Sequence, residues 1–161
     1  MKVYRLFLAT FLISSCIQIP IGNTPNETYK NINTSSPNSP FETMESEGSD
    51  ASWIHPPTGN IISYRSECPT QISGLQDHMK NLSSQFTNSK VIKNETLNYN
   101  SREALKYTFN GDLEGITTSF ETVSFKKYGC FFILTHNGKA DNISSTSSDF
   151  NTFVDSFMVN K

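Results

Sequence analysis

Residues 102–135 have the sequence REALKYTFNGDLEGITTSFETVSFKKYGCFFILT, and this stretch decides the fold. Apolar and polar residues alternate over 104–109 and again over 115–125, which is the period of a strand with one face turned inward. Cys130–Leu134 is continuously apolar, which is typical of a central strand covered on both faces. We therefore expect three consecutive strands at 104–109, 115–125 and 128–135.

The flanking sequence adds two further strands. Residues 91–99 are rich in β-branched and aromatic residues. In residues 60–66 apolar and polar residues alternate, as they do in 104–109. Turn signals at Asn100–Ser101, Asn110–Gly111 and Lys126–Lys127 separate the last four strands by short loops. The prediction is an antiparallel β-meander within a sheet of about five strands.

Two segments with helical spacing surround the meander. The first has its apolar residues at Ile72, Leu75, Met79, Leu82 and Phe86, with Thr70 as the expected N-cap. The second follows a Ser147–Asp149 cap and has its apolar residues at Phe150, Phe153, Val154 and Phe157. The order strand, helix, antiparallel meander, helix indicates the α+β class, with two helices packed on the sheet.

The carboxy-terminal hundred residues resemble the PsbP/Mog1-like sandwich, a family that includes small bacterial lipoproteins of the DcrB type. The likeness rests on Arg102–Tyr107 leading into a strand, Gly115 opening the next, the strand Cys130–Thr135, and the closing segment Phe150–Phe157 with its Ser-Phe pair. The resemblance implies an α+β sandwich. Because this family has no common set of catalytic residues, it implies no active site.

The amino terminus resembles an export signal. Lys2 and Arg5 precede an apolar run too short to span a bilayer, as in a signal peptide covering residues 1–15. Ile13-Ser14-Ser15-Cys16 resembles the lipobox of bacterial lipoproteins, which implies cleavage before Cys16, diacylglycerol on its thiol and acylation of the new amino terminus. An ordinary signal peptide with a chance cysteine is the alternative, and it would give a secreted protein without lipid.

The resemblance to lipoproteins also implies a location. In the enterobacterial pathway an Asp after the lipidated cysteine favours the inner membrane, and residue 17 is Ile. We therefore expect an anchor in the outer membrane, facing the periplasm or the cell surface. Residues 16–55 are rich in Pro, Ser and Asn, so they are predicted to form a disordered tether to a globular domain at 56–161. Trp53 marks where the tether docks.

Cys68 and Cys130 remain once Cys16 carries lipid. An even pair in an oxidising compartment predicts a structural disulfide. Two buried free thiols are a second reading. A third is thiol redox chemistry at Cys68, because a position just before a helix would lower the thiol pKa.

No other chemistry is evident. The histidines His55, His78 and His136 are too far apart in sequence for a zinc site, and we expect them to be ordinary surface residues. Asp112 and Glu114 are expected to be solvated carboxylates in a hairpin loop. The sequence also lacks the motifs of phosphate-binding loops and serine hydrolases, so we predict no cofactor and no catalytic site.

The charge balance narrows the choice of partner. With 13 Lys and Arg against 15 Asp and Glu, the chain lacks the basic footprint of a nucleic-acid-binding protein. We expect a non-catalytic domain, held at a membrane through Cys16, that binds an envelope protein or a small ligand.

Overall fold

The structure is a computed structural model of the 161-residue chain and describes residues 28–69 and 74–161. The predicted signal peptide at 1–15, the predicted lipidation site Cys16, and Thr70 and Ile72 of the predicted first helix lie outside the described residues.

Within these ranges the chain forms nine strands and two α-helices. In chain order they are β1 (Ile32–Asn33), β2 (Glu42–Met44), β3 (Ala51–His55), β4 (Asn60–Glu67), α1 (Leu75–Ser83), β5 (Thr87–Tyr99), β6 (Arg102–Leu113), β7 (Ile116–Lys127), β8 (Cys130–Lys139), α2 (Ser147–Ser156) and β9 (Met158–Val159). A short 3-10 turn, Ile143–Thr146, leads into α2.

Strands β2 to β8 form one antiparallel sheet in the order β2-β3-β4-β8-β7-β6-β5. The predicted meander is formed by β5 to β8. Strand β4 pairs with β8 on the edge opposite β7. The predicted α+β class with two helices therefore holds, but the expectation of about five strands is wrong. The main sheet has seven strands, and β1 and β9 form a separate two-stranded sheet.

The additional strands lie in the segment predicted as a disordered tether. From residue 28 onward this segment is part of the folded domain: β2 pairs with β3, and β3 pairs with β4. Few apolar residues occur here, but several of them contact the body of the domain. Trp53 is buried against Phe153 with ring centroids 5.4 Å apart, while Tyr29, Ile32 and Phe41 pack on the same cluster. Isolated anchors of this kind produce no period in the sequence.

Two of the predicted turns are also displaced. Asn110–Gly111 lies inside β6, and Lys126–Lys127 ends β7. The chain instead reverses at Asn100–Ser101, as predicted, and at Glu114–Gly115 and Tyr128–Gly129, whose six residues all have φ between 51° and 81°. Such two-residue hairpin turns need positive φ at both positions.

Gly111 serves packing rather than a turn. A Cβ at this position would lie 2.6 Å from Cβ of Phe86, so only glycine lets that ring sit against the sheet. The Asn-Gly pair is therefore a misleading turn signal in this sequence.

The core has one apolar cluster on each face of the sheet. The face beneath α2 includes Trp53, Phe125, Phe132, Phe153 and Phe157, and the face beneath α1 includes Met79, Phe86, Leu105, Phe109 and Phe120. Strand β8 lies between β4 and β7, and its first five residues are all buried. The continuous apolar run therefore marks the doubly covered strand, as predicted.

Candidate functional site

Cys68 and Cys130 are bonded to each other, with an S–S distance of 2.02 Å and their Cα atoms 4.1 Å apart. Cys68 directly follows β4 and Cys130 opens β8, so the bond fixes the end of one central strand against the start of its neighbour. Helix α1 begins only at Leu75, with Gly74 as its N-cap. Cys68 therefore does not occupy the helix terminus that the redox reading assumed.

The turn beside this disulfide carries a concentration of positive charge. A cleft of about 190 Å³ lies here, lined by Arg102, Lys126, Lys127 and residues 128–131. Three of its lining side chains are cationic and none is acidic. We call Arg102, Lys126, Lys127 and Tyr128 the basic end.

The lysines of the basic end are held by specific contacts. Nζ of Lys127 donates a hydrogen bond to the carbonyl oxygen of Val159 (2.8 Å) and lies 5.3 Å from the ring centroid of Tyr128. Nζ of Lys126 lies 4.6 Å from the centroid of Phe131 on the other face of the sheet. Contacts of this type position cations over aromatic rings without removing them from solvent.

His78 is not the solvent-facing residue that the sequence predicts. Its ring stacks on Phe131 with centroids 4.6 Å apart, and it is half-buried. Burial lowers the pKa of His78, nearby Glu67 opposes this effect, and Arg65 and Lys126 add to it. Arg65 and Glu67 form an ion pair with Nε and Oε1 2.9 Å apart.

His136 also departs from the predicted surface position, since it is fully buried. Its Nδ1 lies 3.0 Å from Oε2 of Glu121, its Nε2 lies 2.8 Å from Oγ1 of Thr146, and its ring stacks on Phe150. An ionised carboxylate can only accept, so Nδ1 donates to Glu121. This hydrogen bond, more than any other cause, holds the pKa of Glu121 below its usual range.

The hydrogen-bonded chain continues past Thr146. Asn60 is buried, and its Nδ2 donates to Oγ1 of Thr146 (2.8 Å) and to the carbonyl oxygen of Asn142 (3.2 Å). At the other end Oγ of Ser147 donates to Oε2 of Glu121 (3.3 Å). We call Asn60, Thr146, His136, Glu121 and Ser147 the buried polar chain.

The order hydroxyl, imidazole, carboxylate in the buried polar chain is also the order of a hydrolase triad. However, Thr146 is only 1% exposed, so a substrate in solution has no access to its Oγ1. A buried polar network of this kind can instead specify the packing of the elements it joins, although Oδ1 of Asn60 accepts no hydrogen bond from another described residue. Here it joins β4, β7 and β8 to the start of α2.

A more open groove of about 400 Å³ lies between α1 and β5. Gln76 on α1 and Asn94 on β5 bridge the two elements through hydrogen bonds of 3.3 and 3.0 Å between their amides. Tyr107 and Val91 contribute apolar surface, and Asp77 and Lys80 contribute opposite charges. The groove has the mixed lining expected of a shallow site for a small ligand or a peptide.

The remaining candidate residues have ordinary surroundings. His55 Nδ1 lies 2.8 Å from Oγ1 of Thr58 in the β3–β4 turn. Asp112 accepts hydrogen bonds from Asn88 and Thr117, which lower its pKa, and Glu114 occupies the β6–β7 turn. In residues 28–69 and 74–161, no three His, Cys, Asp or Glu side chains are grouped to hold a metal ion.

Within the same described part of the chain, none of the helices has the length and apolar character needed to cross a bilayer.

The sequence did contain a signal for the burial of His136. Phe132, Leu134 and His136 share one face of β8, because alternate residues of a strand point the same way. The predicted strand ended at residue 135 and so left His136 out of this period, whereas β8 continues to Lys139.

Comparison with other proteins supports the fold. No protein-family model matches this sequence, and no curated protein matches it. Solved structures do match. LpqN of Mycobacterium tuberculosis, described as involved in cell envelope biogenesis, has a TM-score of 0.61 at 12% identity over 86% of this chain and 87% of its own.

Two further structures have the same architecture. PsbP of the cyanobacterium Synechocystis (CyanoP) has a TM-score of 0.59 at 13% identity, covering 92% of this chain and 99% of its own. PA94 of Pseudomonas aeruginosa, a protein of unknown function, has a TM-score of 0.55 at 14% identity, covering 89% of each chain. The expected PsbP-like fold is thus confirmed, and identities this low show the fold alone.

Proposed function

We propose that this protein is a lipid-anchored protein of the bacterial cell envelope whose domain binds a partner or ligand without catalysing a reaction. The observation that carries the proposal is the pairing of cysteines. The chain has three cysteines, and Cys68 and Cys130 are joined in the folded domain. The remaining one is Cys16, which stands at the end of the sequence that resembles a lipobox.

Two further features support an envelope role. A disulfide is typical of a domain that folds in an oxidising compartment. The fold is shared with LpqN, a protein described as involved in cell envelope biogenesis. We place the anchor in the outer membrane because Ile17, rather than Asp, follows the cysteine.

The non-catalytic part of the proposal rests on the surroundings of the reactive side chains. Thr146 and His136, which follow the order of residues in a hydrolase triad, are buried inside the domain. The thiol of Cys68 is taken up in the disulfide with Cys130. The groove between α1 and β5 is a surface that remains open to a partner. We propose that an envelope protein or a small ligand binds in this groove, and that nucleic acid does not bind the protein.

The anchor is tested by the intact mass of the protein purified from membranes of producing cells. We expect a chain that begins at Cys16 and carries one diacylglycerol and one acyl group. The variant Cys16→Ser should remain unprocessed and unlipidated, whereas Ser35→Ala, in the same polar segment, should be processed normally. A wild-type mass equal to the unmodified chain would contradict the proposal.

Thiol chemistry is tested separately by counting free thiols in the isolated protein under denaturing conditions. We expect no free thiol from Cys68 or Cys130, and none at neutral pH that reacts rapidly with an alkylating reagent. A reactive thiol on Cys68 in the native protein would instead favour a redox enzyme.

A further inference from the structure

The first described residues of the chain meet the basic end. The ring of Tyr29 stacks on that of Tyr128 with centroids 6.0 Å apart, and its backbone N–H donates to Oγ of Ser66 (2.9 Å). The hydroxyl of Tyr29 donates to the carbonyl oxygen of Asn160 (2.6 Å). The chain therefore joins the domain beside Tyr128 and Lys127.

The segment between Cys16 and this point is short. Twelve peptide units connect residue 16 to residue 28, which at full extension span about 40 Å. The long strands of the sheet have about the same length, since the twelve residues of β7 span roughly 40 Å. The opposite end of the domain could thus meet the membrane only if this segment were fully drawn along the sheet.

The two ends of the sheet also differ in charge. The cleft at the basic end has three cationic side chains and no acidic one in its lining. Two carboxylates near it are engaged elsewhere, since Glu67 pairs with Arg65 and Asp50 accepts hydrogen bonds from Ser66. The exposed carboxylate of Glu103, next to Arg102 in β6, offsets one of the three cations, so the basic end keeps a positive excess.

At the far end, by contrast, the β6–β7 turn presents Asp112 and Glu114, and Asp141 follows β8, while Lys90 and Lys139 lie nearby, so the acidic side chains are in slight excess. An anionic surface would therefore favour the first end over the second.

We infer that the basic end is a membrane-docking surface, which lays Arg102, Lys126, Lys127 and Tyr128 against anionic lipid headgroups when Cys16 holds the protein there. Tyr128 is 44% exposed, so its ring is available to the headgroup region, where tyrosine is enriched. Each cation near an anionic leaflet multiplies the ratio of docked to undocked domain by about 5-fold. This inference rests on the proposed anchor.

Orientation of the anchored protein provides the test. The full protein, purified from membranes with its natural amino terminus, is reconstituted in vesicles of phosphatidylcholine alone or with roughly one-third phosphatidylglycerol. A membrane-impermeant amine reagent labels the exposed lysines, and peptide mass spectrometry gives the rate at each position. We expect labelling of Lys126 and Lys127 to slow several-fold in the anionic vesicles, while Lys90 and Lys139 label equally in both.

Charge variants separate docking from general attraction. The pair Arg102→Gln and Lys127→Gln should lower the docked ratio about 25-fold and abolish the protection of Lys126. The matched pair Lys90→Gln and Lys139→Gln removes the same charge elsewhere and should leave Lys126 protected. If the first pair unfolds more easily than the wild type, the single variant Arg102→Gln at an exposed position serves instead, with an effect of about 5-fold.

The outcomes distinguish the anchor from the docking surface. A protein that fails to float with neutral vesicles has no acyl anchor, which contradicts the proposed function but not the surface. If it floats with both vesicle types and labels identically in both, docking is wrong. Protection that appears only in native membranes, or is lost equally in the control pair, would also overturn the inference.

Discussion

The hydrogen bond between His136 and Glu121 gives the stability of the domain a defined dependence on pH. Nδ1 of His136 lies 3.0 Å from Oε2 of Glu121, and this contact holds the pKa of Glu121 below the ordinary glutamate value of 4.5. Because the folded pKa is lower than the unfolded one, the stabilisation is present above about pH 4.5 and is lost as pH falls through the folded pKa.

The variant Glu121→Gln should weaken this acid sensitivity. Its amide oxygen can still accept from His136, so we expect a loss of about 1 kcal/mol at neutral pH and a shallower decline below about pH 4.5 than in the wild type. Urea unfolding between pH 7 and 3 measures both. The control Glu103→Gln, at an exposed position, should follow the wild-type curve, and a Glu121→Gln curve parallel to the wild type would contradict the prediction.

Gly138→Ala should destabilise the domain by about 2 to 3 kcal/mol, because overpacking of a buried position forces its neighbours to shift. A Cβ there would clash with Oδ1 of Asn60 and lie 2.8 Å from its Cγ. In an Asn60→Ala background the additional cost should fall, since the clashing atoms are gone. Gly74→Ala, which meets only the movable carboxylate of Asp77, is the control. Equal costs at Gly138 in both backgrounds would refute the contact.

Single residues were the least predictable part of the site. The period of β8 was sufficient to bury His136, but its partners Thr146 and Glu121, and Asn60, which donates to Thr146, come from three other elements. Their approach depends on the register of β4 and β7 against β8 and on the position of the 3-10 turn. The spacing of residues within one segment therefore cannot predict these contacts between elements.

At the scale of elements, the Cys68–Cys130 disulfide links the end of β4 to the start of β8. It closes a sequence separation of 62 residues, so removing it should lower the free energy of unfolding by about 4 kcal/mol through the entropy of the unfolded chain. The double variant Cys68→Ala with Cys130→Ala, compared with the wild type in urea, measures this loss. A reducing agent should reproduce most of the shift in the wild type and none in the variant. A shift below about 1 kcal/mol would show that the unfolded chain is little constrained by the bond.

The sequence predicted those strands and helices that are long enough to show a hydrophobic period. It missed the strands that are too short to show one or that lie in a polar stretch. Strands β5 to β8 each carry a clear pattern, and α2 has apolar residues at helical spacing. Strands β1 and β2 have two and three residues, too short for any period, and β3 was hidden in a Pro-rich and Ser-rich stretch. Local composition cannot show that such a stretch adds the edge of a sheet.

At the scale of the whole molecule, the beginning and end of the described chain hold each other. Strand β1 pairs with β9, and Tyr29 and Ile32 pack on the cluster beneath α2. Tyr29→Ala should therefore lower the free energy of unfolding by about 2 to 3 kcal/mol. The fluorescence of Trp53, the single tryptophan, reports the transition. Lys30→Ala, at the exposed neighbouring position, should cost less than about 0.5 kcal/mol. Equal effects would show that Tyr29 is not part of the core.

The fold class could thus be predicted from the sequence, but the length of chain that belongs to the folded domain could not. The meander and the two helices indicate α+β from the sequence, and the matched structures share that arrangement. The placement of residues 28–55 on the domain shortens the longest possible span between Cys16 and the folded body to less than a third of that for a coil ending at residue 55. With the anchor that we propose at Cys16, this shorter span would restrict the orientation of the domain at the membrane.

The pairing of β4 with β8 has a consequence for folding during synthesis. It pairs Ile61 with Asn137 and Glu67 with Phe131, so strands on its two sides come from distant parts of the chain. Non-local pairing of this kind slows folding, because a large loop must close first. The sheet cannot be completed until Asn137 has left the ribosome. Until then β4 has no partner on its β8 side, so the sheet assembles only after most of the chain has been synthesised.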